Sequence, residues 1–208
     1  MAETLRAFIA VPIPDRLSAF LQEAQARLRT KRSTVRWVPV RNIHLTLKFL
    51  GDIDPSQVPE ISGRMDAAAA TLPPFELNAG GVGVFPNLRQ ARVVWIGLAG
   101  DIERLRQLRA ALESGLAACG FDMDTRPYRA HLTIGRTRQR MPAAQAADLL
   151  ASPEDPVSDS FRVDRVILYR SILKPSGAEY RQLHASSLTG GSANDRRVLR
   201  TDDPEAGS

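Results

Sequence analysis

Three histidines occur in the chain, and two of them stand in nearly the same word: His44-Leu45-Thr46-Leu47 and, 87 positions later, His131-Leu132-Thr133-Ile134. Threonine at the second position after two of three histidines is a roughly 1% coincidence. On a strand, residues i and i+2 share a face. Each word therefore presents an imidazole and a hydroxyl together and sends Leu45 and Leu47, or Leu132 and Ile134, into a core. Imidazoles titrate near neutral pH, so one copy can take a proton while the other gives one. The threonine hydroxyls can donate hydrogen bonds to phosphate oxygens that hold charge during transfer. Together these groups suit a phosphodiester, whose cleavage needs a base for the attacking water and an acid for the departing alkoxide. The bland alternative, two satisfied half-buried histidines, fits a single word better than a duplicated one. A zinc site is the other use of paired histidines, but neither strand offers a third ligand. Cys119, the one cysteine, can form neither an internal disulfide nor a multi-cysteine metal site. No metal and no cofactor are expected.

The elements that must carry these words alternate between strands and helices. RAFIAVP (6–12) reads as a buried strand, and Asp15 as the cap of an amphipathic helix. VRWVPV (35–40) reads as a strand leading through Arg41 and Asn42 into HLTLKFLG (44–51). Asp54 and Pro55 open a helix to about Thr71, Asp101 caps another that Gly120 ends, and Pro142 opens a short one. FRVDRVILYRSILK (161–174) and the segment after a Lys-Pro-Ser-Gly turn read as a final strand pair. The succession of strand, helix and HLT strand occurs twice. It predicts an α+β fold of two related lobes, with the HLT strands side by side at a central cleft. One bilobal domain over 1–189 and a polar, glycine-rich disordered tail over 190–208 are expected.

Composition narrows the class. The 208 residues, 43% hydrophobic and 25% charged, are those of an ordinary globular protein. No apolar run reaches the ~20 residues of a membrane span. The N-terminal stretch lacks the basic region and the small-residue cleavage site of a signal peptide, so a cytoplasmic location is expected; the chain is also expected to be a monomer. Of the 28 basic residues only Lys31, Lys48 and Lys174 are lysine. The net charge of +5 favours a polyanionic partner, and guanidinium forks suit phosphate.

HLTLKFLG and HLTIGR resemble the two signature motifs of the two-histidine (2H) phosphoesterase superfamily, in particular its LigT-like RNA 2',3'-cyclic phosphodiesterases and 2'-5' RNA ligases. FIAVPIP, RWV, FPN and VVWIGL are similar too, so the resemblance spans about residues 5–188. It implies two lobes, each an antiparallel sheet with helices outside, and hydrolysis of 2',3'-cyclic phosphates on RNA ends or small cyclic nucleotides. By motif position it implies that His44 is the general acid and His131 the base, that Thr46 and Thr133 bind phosphate oxygens, and that Arg136 contacts the phosphate. Strict alternation would put Arg136 on the core face, so that role requires the strand to end or bulge at Gly135. The family's proline before the second histidine is replaced here by Ala130.

Other residues take plainer readings. Lys48 shares the face of His44 and would either add positive potential near a phosphate or stand in solvent. Phe49 alternates onto the core side with Leu45 and Leu47, so it reads as packing before base stacking. Trp37 and Tyr128, just before the motif strands, could stack on a base but read first as packing. His184 reads as a surface residue, and Cys119, with no basic neighbour, as uncatalytic.

Overall fold

The computed structural model describes residues 4–29, 34–151, 157–175 and 177–191. In chain order the strands are β1 (Leu5–Pro12), β2 (Arg36–Trp37), β3 (His44–Ile53), β4 (Phe75–Phe85), β5 (Val93–Gly100), β6 (His131–Arg136), β7 (Phe161–Val163), β8 (Arg165–Lys174) and β9 (Gly177–Ser187). The helices are α1 (Ser18–Leu28), α2 (Val58–Ala69), α3 (Ile102–Ala117) and α4 (Ala143–Leu150). None of the described helices is long and apolar enough to cross a membrane.

The strands form two sheets, ordered β3-β1-β8-β9 and β2-β6-β5-β4-β7. Every pairing is antiparallel. The orders β3-β1-β8-β9 and β6-β5-β4-β7 correspond term by term, with β2 added outside β6. The units β1-α1-β3 and β5-α3-β6 are thus equivalent, and the expected internal repeat is the organising feature of the α+β fold. Strands β3 and β6 touch at the junction.

The two units are bound together by their helices. On α1, Gln25 is buried and donates through Nε2 to the Ile134 carbonyl of β6, 3.0 Å away. On α3, Arg109 donates through Nε to the Leu47 carbonyl of β3 at 3.3 Å. Gln25 and Arg109 both stand seven residues past the first residue of their helices. Each helix is therefore pinned to the HLT strand of the other unit. Leu21, Leu105, Leu108 and Leu112 join the strand interiors in one continuous apolar core.

Several local expectations shift. The strand around Trp37 shortens to two residues, because Pro39 cannot donate to a ladder. Asp54 does cap its helix: its side chain accepts from Ser56 N–H and Gln57 returns the bond, starting a 3-10 turn that runs into α2. Asp15 caps nothing; it opens a 3-10 turn behind Pro14, and α1 begins at Ser18. Asp101 likewise makes no side-chain cap bond to α3 and instead accepts from Glu76 N–H at 3.3 Å. FRVDRVILYRSILK is two strands, divided at Asp164 between the two sheets. Gly190, expected to start the tail, still donates its N–H to the Leu72 carbonyl at 2.9 Å; residues 192–208 lie outside the described ones.

Candidate active site

Both HLT strands carry a bulge at the same place. Opposite β1, Thr46 pairs with Ala10 and Lys48 with Ile9, leaving Leu47 as the extra residue. Opposite β5, Thr133 pairs with Trp95 and Gly135 with Val94, leaving Ile134 as the extra residue. A bulge places two successive side chains on one face. Leu47 and Lys48 are accordingly both buried, as are Ile134 and Gly135, and the alternation resumes out of phase. The carbonyls of the two bulged residues are those that accept from Arg109 and Gln25.

The bulges decide three residues. Arg136 returns to the face of His131 and lines the cleft, as its proposed role required. Phe49, expected in the core, is 68% exposed at the cleft rim. Lys48 fits neither of its expected placements. It turns inward, where its ammonium meets Glu113 on α3 at 2.5 Å and the Asp122 carbonyl. Arg109 completes this buried network, pairing with Glu113 at 3.0 Å. A close backbone approach explains glycine at 135: a Cβ there would lie 2.5 Å from Val35 Cγ1 and 3.3 Å from the Trp37 ring.

The cleft, about 1240 Å³, is lined by His44, Thr46, Thr133 and Arg136 from the motif strands, with Arg6, Phe8, Arg36, Trp37, Phe49 and Tyr180 around them. The imidazoles are tethered identically. His44 Nδ1 lies 2.9 Å from the Asn42 carbonyl, and His131 Nδ1 lies 2.7 Å from the Arg129 carbonyl. A carbonyl can only accept, so each Nδ1 carries hydrogen and each Nε2 is left as the atom that gains or loses a proton. Ala130 does not disturb this entry, since the same i−2 bond forms beside it as beside Ile43 in the first motif. Among the described residues, neither threonine hydroxyl is committed to a protein partner.

Aromatic rings box both imidazoles. Phe8 stacks on His44 with ring centroids 4.7 Å apart, and Tyr180 meets it edge-on at 5.2 Å. Phe85 meets His131 edge-on at 4.9 Å, with Trp95 at 6.3 Å. Burial in this box is the main reason the His44 imidazole is lowered to about 4; the Asn42 carbonyl opposes it, while Arg136 and His131 add to it. His131 is lowered as well, by burial first and then by Arg136 and Arg129, against the Arg129 carbonyl. Burial and the neighbouring guanidiniums thus hold both imidazoles towards the neutral form at neutral pH.

The structure thus brings His44, Thr46, Thr133 and Arg136 to one cleft, while His131, at the start of the adjoining strand, sits against Phe85 and Trp95 outside the lining residues yet within the field of Arg136 and near enough to act on His44. Trp37 lines the cleft too. Tyr128 does not offer a face to a base: its hydroxyl donates to the Thr46 carbonyl at 3.1 Å and Arg109 covers its ring at 4.6 Å. It holds the motif strand from behind, and burial raises its own hydroxyl's titration. His184 hydrogen-bonds Asp66 at 2.8 Å, away from the cleft. Sequence reasoning missed Phe8, Phe85, Trp95 and Tyr180, which reach the histidines from strands far away in the chain. It also missed the Asn42 and Arg129 carbonyls, which a common offset of two residues before each histidine could have signalled.

A model of the 2'-5' RNA ligase superfamily matches residues 13–174. The chain belongs to that superfamily. It is 33% identical over 184 residues to an RNA 2',3'-cyclic phosphodiesterase of Methanothermobacter thermautotrophicus, covering 88% of this chain and 99% of that one. Its identity to the Thermus thermophilus protein of the same name is 33% over 193 residues, covering 89% and 91%. Among solved structures, that of Escherichia coli LigT in apo form superposes with a TM-score of 0.73 at 26% identity, over 90% of this chain and 99% of that one. That of TT0787 of Thermus thermophilus does so at 0.70 and 30%, over 90% and 100%. The two antiparallel sheets and their helices are those of this superfamily.

Proposed function

We propose that this chain is an RNA 2',3'-cyclic phosphodiesterase that opens the cyclic phosphate to a 2'-phosphomonoester. Water attacks phosphorus as His131 Nε2 takes its proton; the bond from phosphorus to O3' breaks as His44 Nε2–H gives O3' a proton. Thr46, Thr133 and Arg136 hold the non-bridging oxygens while charge gathers on them. The observation that carries this reading is the matched tethering of two imidazoles from two sheets, each with Nε2 free and both within the field of Arg136. Since both are held neutral, the phosphate itself must raise one of them into the charged form that donates. Its anionic charge beside Arg136 supplies that change on binding. A cytoplasmic, monomeric enzyme acting without metal belongs to the same reading.

The superfamily match favours a second use of the cleft, 2'-5' ligation, in which a 5'-hydroxyl replaces water as the group that attacks the cyclic phosphate while the bond from phosphorus to O3' breaks as before. Turnover of 2',3'-cyclic nucleotides in excess EDTA, with product positions assigned by phosphorus NMR, separates the two. His44→Ala and His131→Ala should each lower the rate by on the order of 10² to 10⁴. Wild-type rates in either variant would refute the acid and base assignment, absence of turnover in the wild-type chain would leave an RNA-binding role, and dependence on an added divalent ion would overturn the metal-free scheme.

A further inference from the structure

Strand β2 has no counterpart in the first sheet, and it is two residues long. Its pairing with β6 sets Arg36 directly opposite Arg136. Residues so placed share a face, with Cβ atoms about 5 Å apart, and like charges there repel. Both side chains are exposed and line the cleft. Among the described residues neither has a carboxylate partner. The one carboxylate in the cleft lining, Glu179, is held by Lys174 and Arg181. Two adjacent guanidiniums with nothing negative between them make a place for two anionic groups rather than one. Arg136 is the nearer to the chemistry, since its field reaches both imidazoles. Arg36 stands one strand farther out, on the sheet edge. Arg41, on the turn after β2, continues the basic edge along the cleft.

The cyclic phosphate occupies O2' and O3' of the terminal ribose, so the nearest further phosphate is the one on O5'. We infer that Arg36 forms a second phosphate subsite, which takes this 5'-phosphate and makes 5'-phosphorylated 2',3'-cyclic phosphates the preferred substrates over free cyclic nucleosides. The inference rests on the proposed activity for what occupies Arg136, and its test does not need turnover.

Binding of uridine 2'-phosphate and of uridine 2',5'-bisphosphate is measured by calorimetry on the wild-type chain and on Arg36→Ala and Arg36→Lys. A hydrogen bond to a charged group predicts that the 5'-phosphate tightens wild-type binding about tenfold or more. Arg36→Ala should lose most of that gain and Arg36→Lys keep part of it. Because the ratio of two ligands is taken within one variant, partial unfolding does not imitate the result. No gain in the wild-type chain, or an equal gain in Arg36→Ala, overturns the subsite. In turnover, kcat/KM is compared for uridine 2',3'-cyclic phosphate, its 5'-phosphate and the dinucleotide UpU ending in a 2',3'-cyclic phosphate. The salt dependence of log(kcat/KM) for the dinucleotide should weaken by about 0.7 in Arg36→Ala, the share of one single-strand phosphate contact. An equal advantage of both phosphorylated substrates identifies any 5'-phosphate as the ligand, and an advantage of the dinucleotide alone identifies a strand. Failure of all three to turn over sinks the proposed activity, while the binding ratio still decides the subsite.

Discussion

Acidification should weaken the folded state through His44, by an amount its surroundings set. An unperturbed imidazole titrates near 6.5, and the box of Phe8 and Tyr180 lowers His44 to about 4. As pH falls, the unfolded chain takes up this proton before the folded one does. The contribution is therefore complete above 6.5 and is lost as pH falls towards about 4. Each pH unit in that window is worth about 1.4 kcal/mol, so about 2 kcal/mol is gone by pH 5 and about 3 in all. Urea unfolding at pH 7 and pH 5 measures it. His44→Ala loses ring packing at both pH values alike, but it should lose about 2 kcal/mol less than the wild-type chain between them. His131 is lowered too and contributes with the same sign in both proteins, so the difference isolates His44. NMR titration of the histidine ring protons should find the same low value. Equal pH sensitivity in the two proteins, or a His44 resonance titrating at or above 6.5, would refute the claim that burial governs this imidazole.

The same shifts bear on catalysis: kcat/KM should trace a bell centred below pH 6.5, its two values belonging to the pair. The kcat profile should lie at higher pH because bound phosphate favours the imidazolium; a kcat/KM bell centred at or above pH 7 would contradict it. Gly135→Ala, whose new Cβ would press on Val35 at 2.5 Å, should cost about 1–3 kcal/mol of stability. It should also raise KM by displacing β2, and an unchanged unfolding midpoint would deny the close approach its importance. Lys48→Met strips the buried Glu113 of one partner and should cost about 3 kcal/mol in chemical denaturation, part of which Glu113→Gln restores. No loss would mean that the pair is not buried as described. A substrate with an aryl leaving group needs little protonation, so it should rescue His44→Ala and leave His131→Ala slow. The opposite pattern in stopped-flow or steady-state rates would exchange the two roles.

Much of the site was legible in the chain because its pieces are local. The duplicated His-x-Thr words need only the two-residue period of a strand to put imidazole and hydroxyl on one face. Their repetition after a strand and a helix announced the two equivalent units of the α+β fold. Beyond the threonines that period failed. Phe49 was read into the core and lies exposed, and Lys48 was read towards the phosphate or solvent and lies buried against Glu113. The bulges that shift the phase are defined by pairing with β1 and β5, and their carbonyls are held by Gln25 and Arg109 from the opposite unit. Those donors are 109 and 62 residues away in the chain.

By itself, then, the amino-acid sequence determined the two His-x-Thr words, the face that each imidazole shares with its hydroxyl and the two-lobed plan, since each follows from local periodicity and its recurrence. Only the tertiary structure decided the phase of Arg136, the division of FRVDRVILYRSILK between two sheets at Asp164, and the apposition of Arg36 to Arg136. It alone also set the lowered titration of both histidines. Register and desolvation depend on which distant strands and helices cover a residue, and no short stretch of chain carries that information.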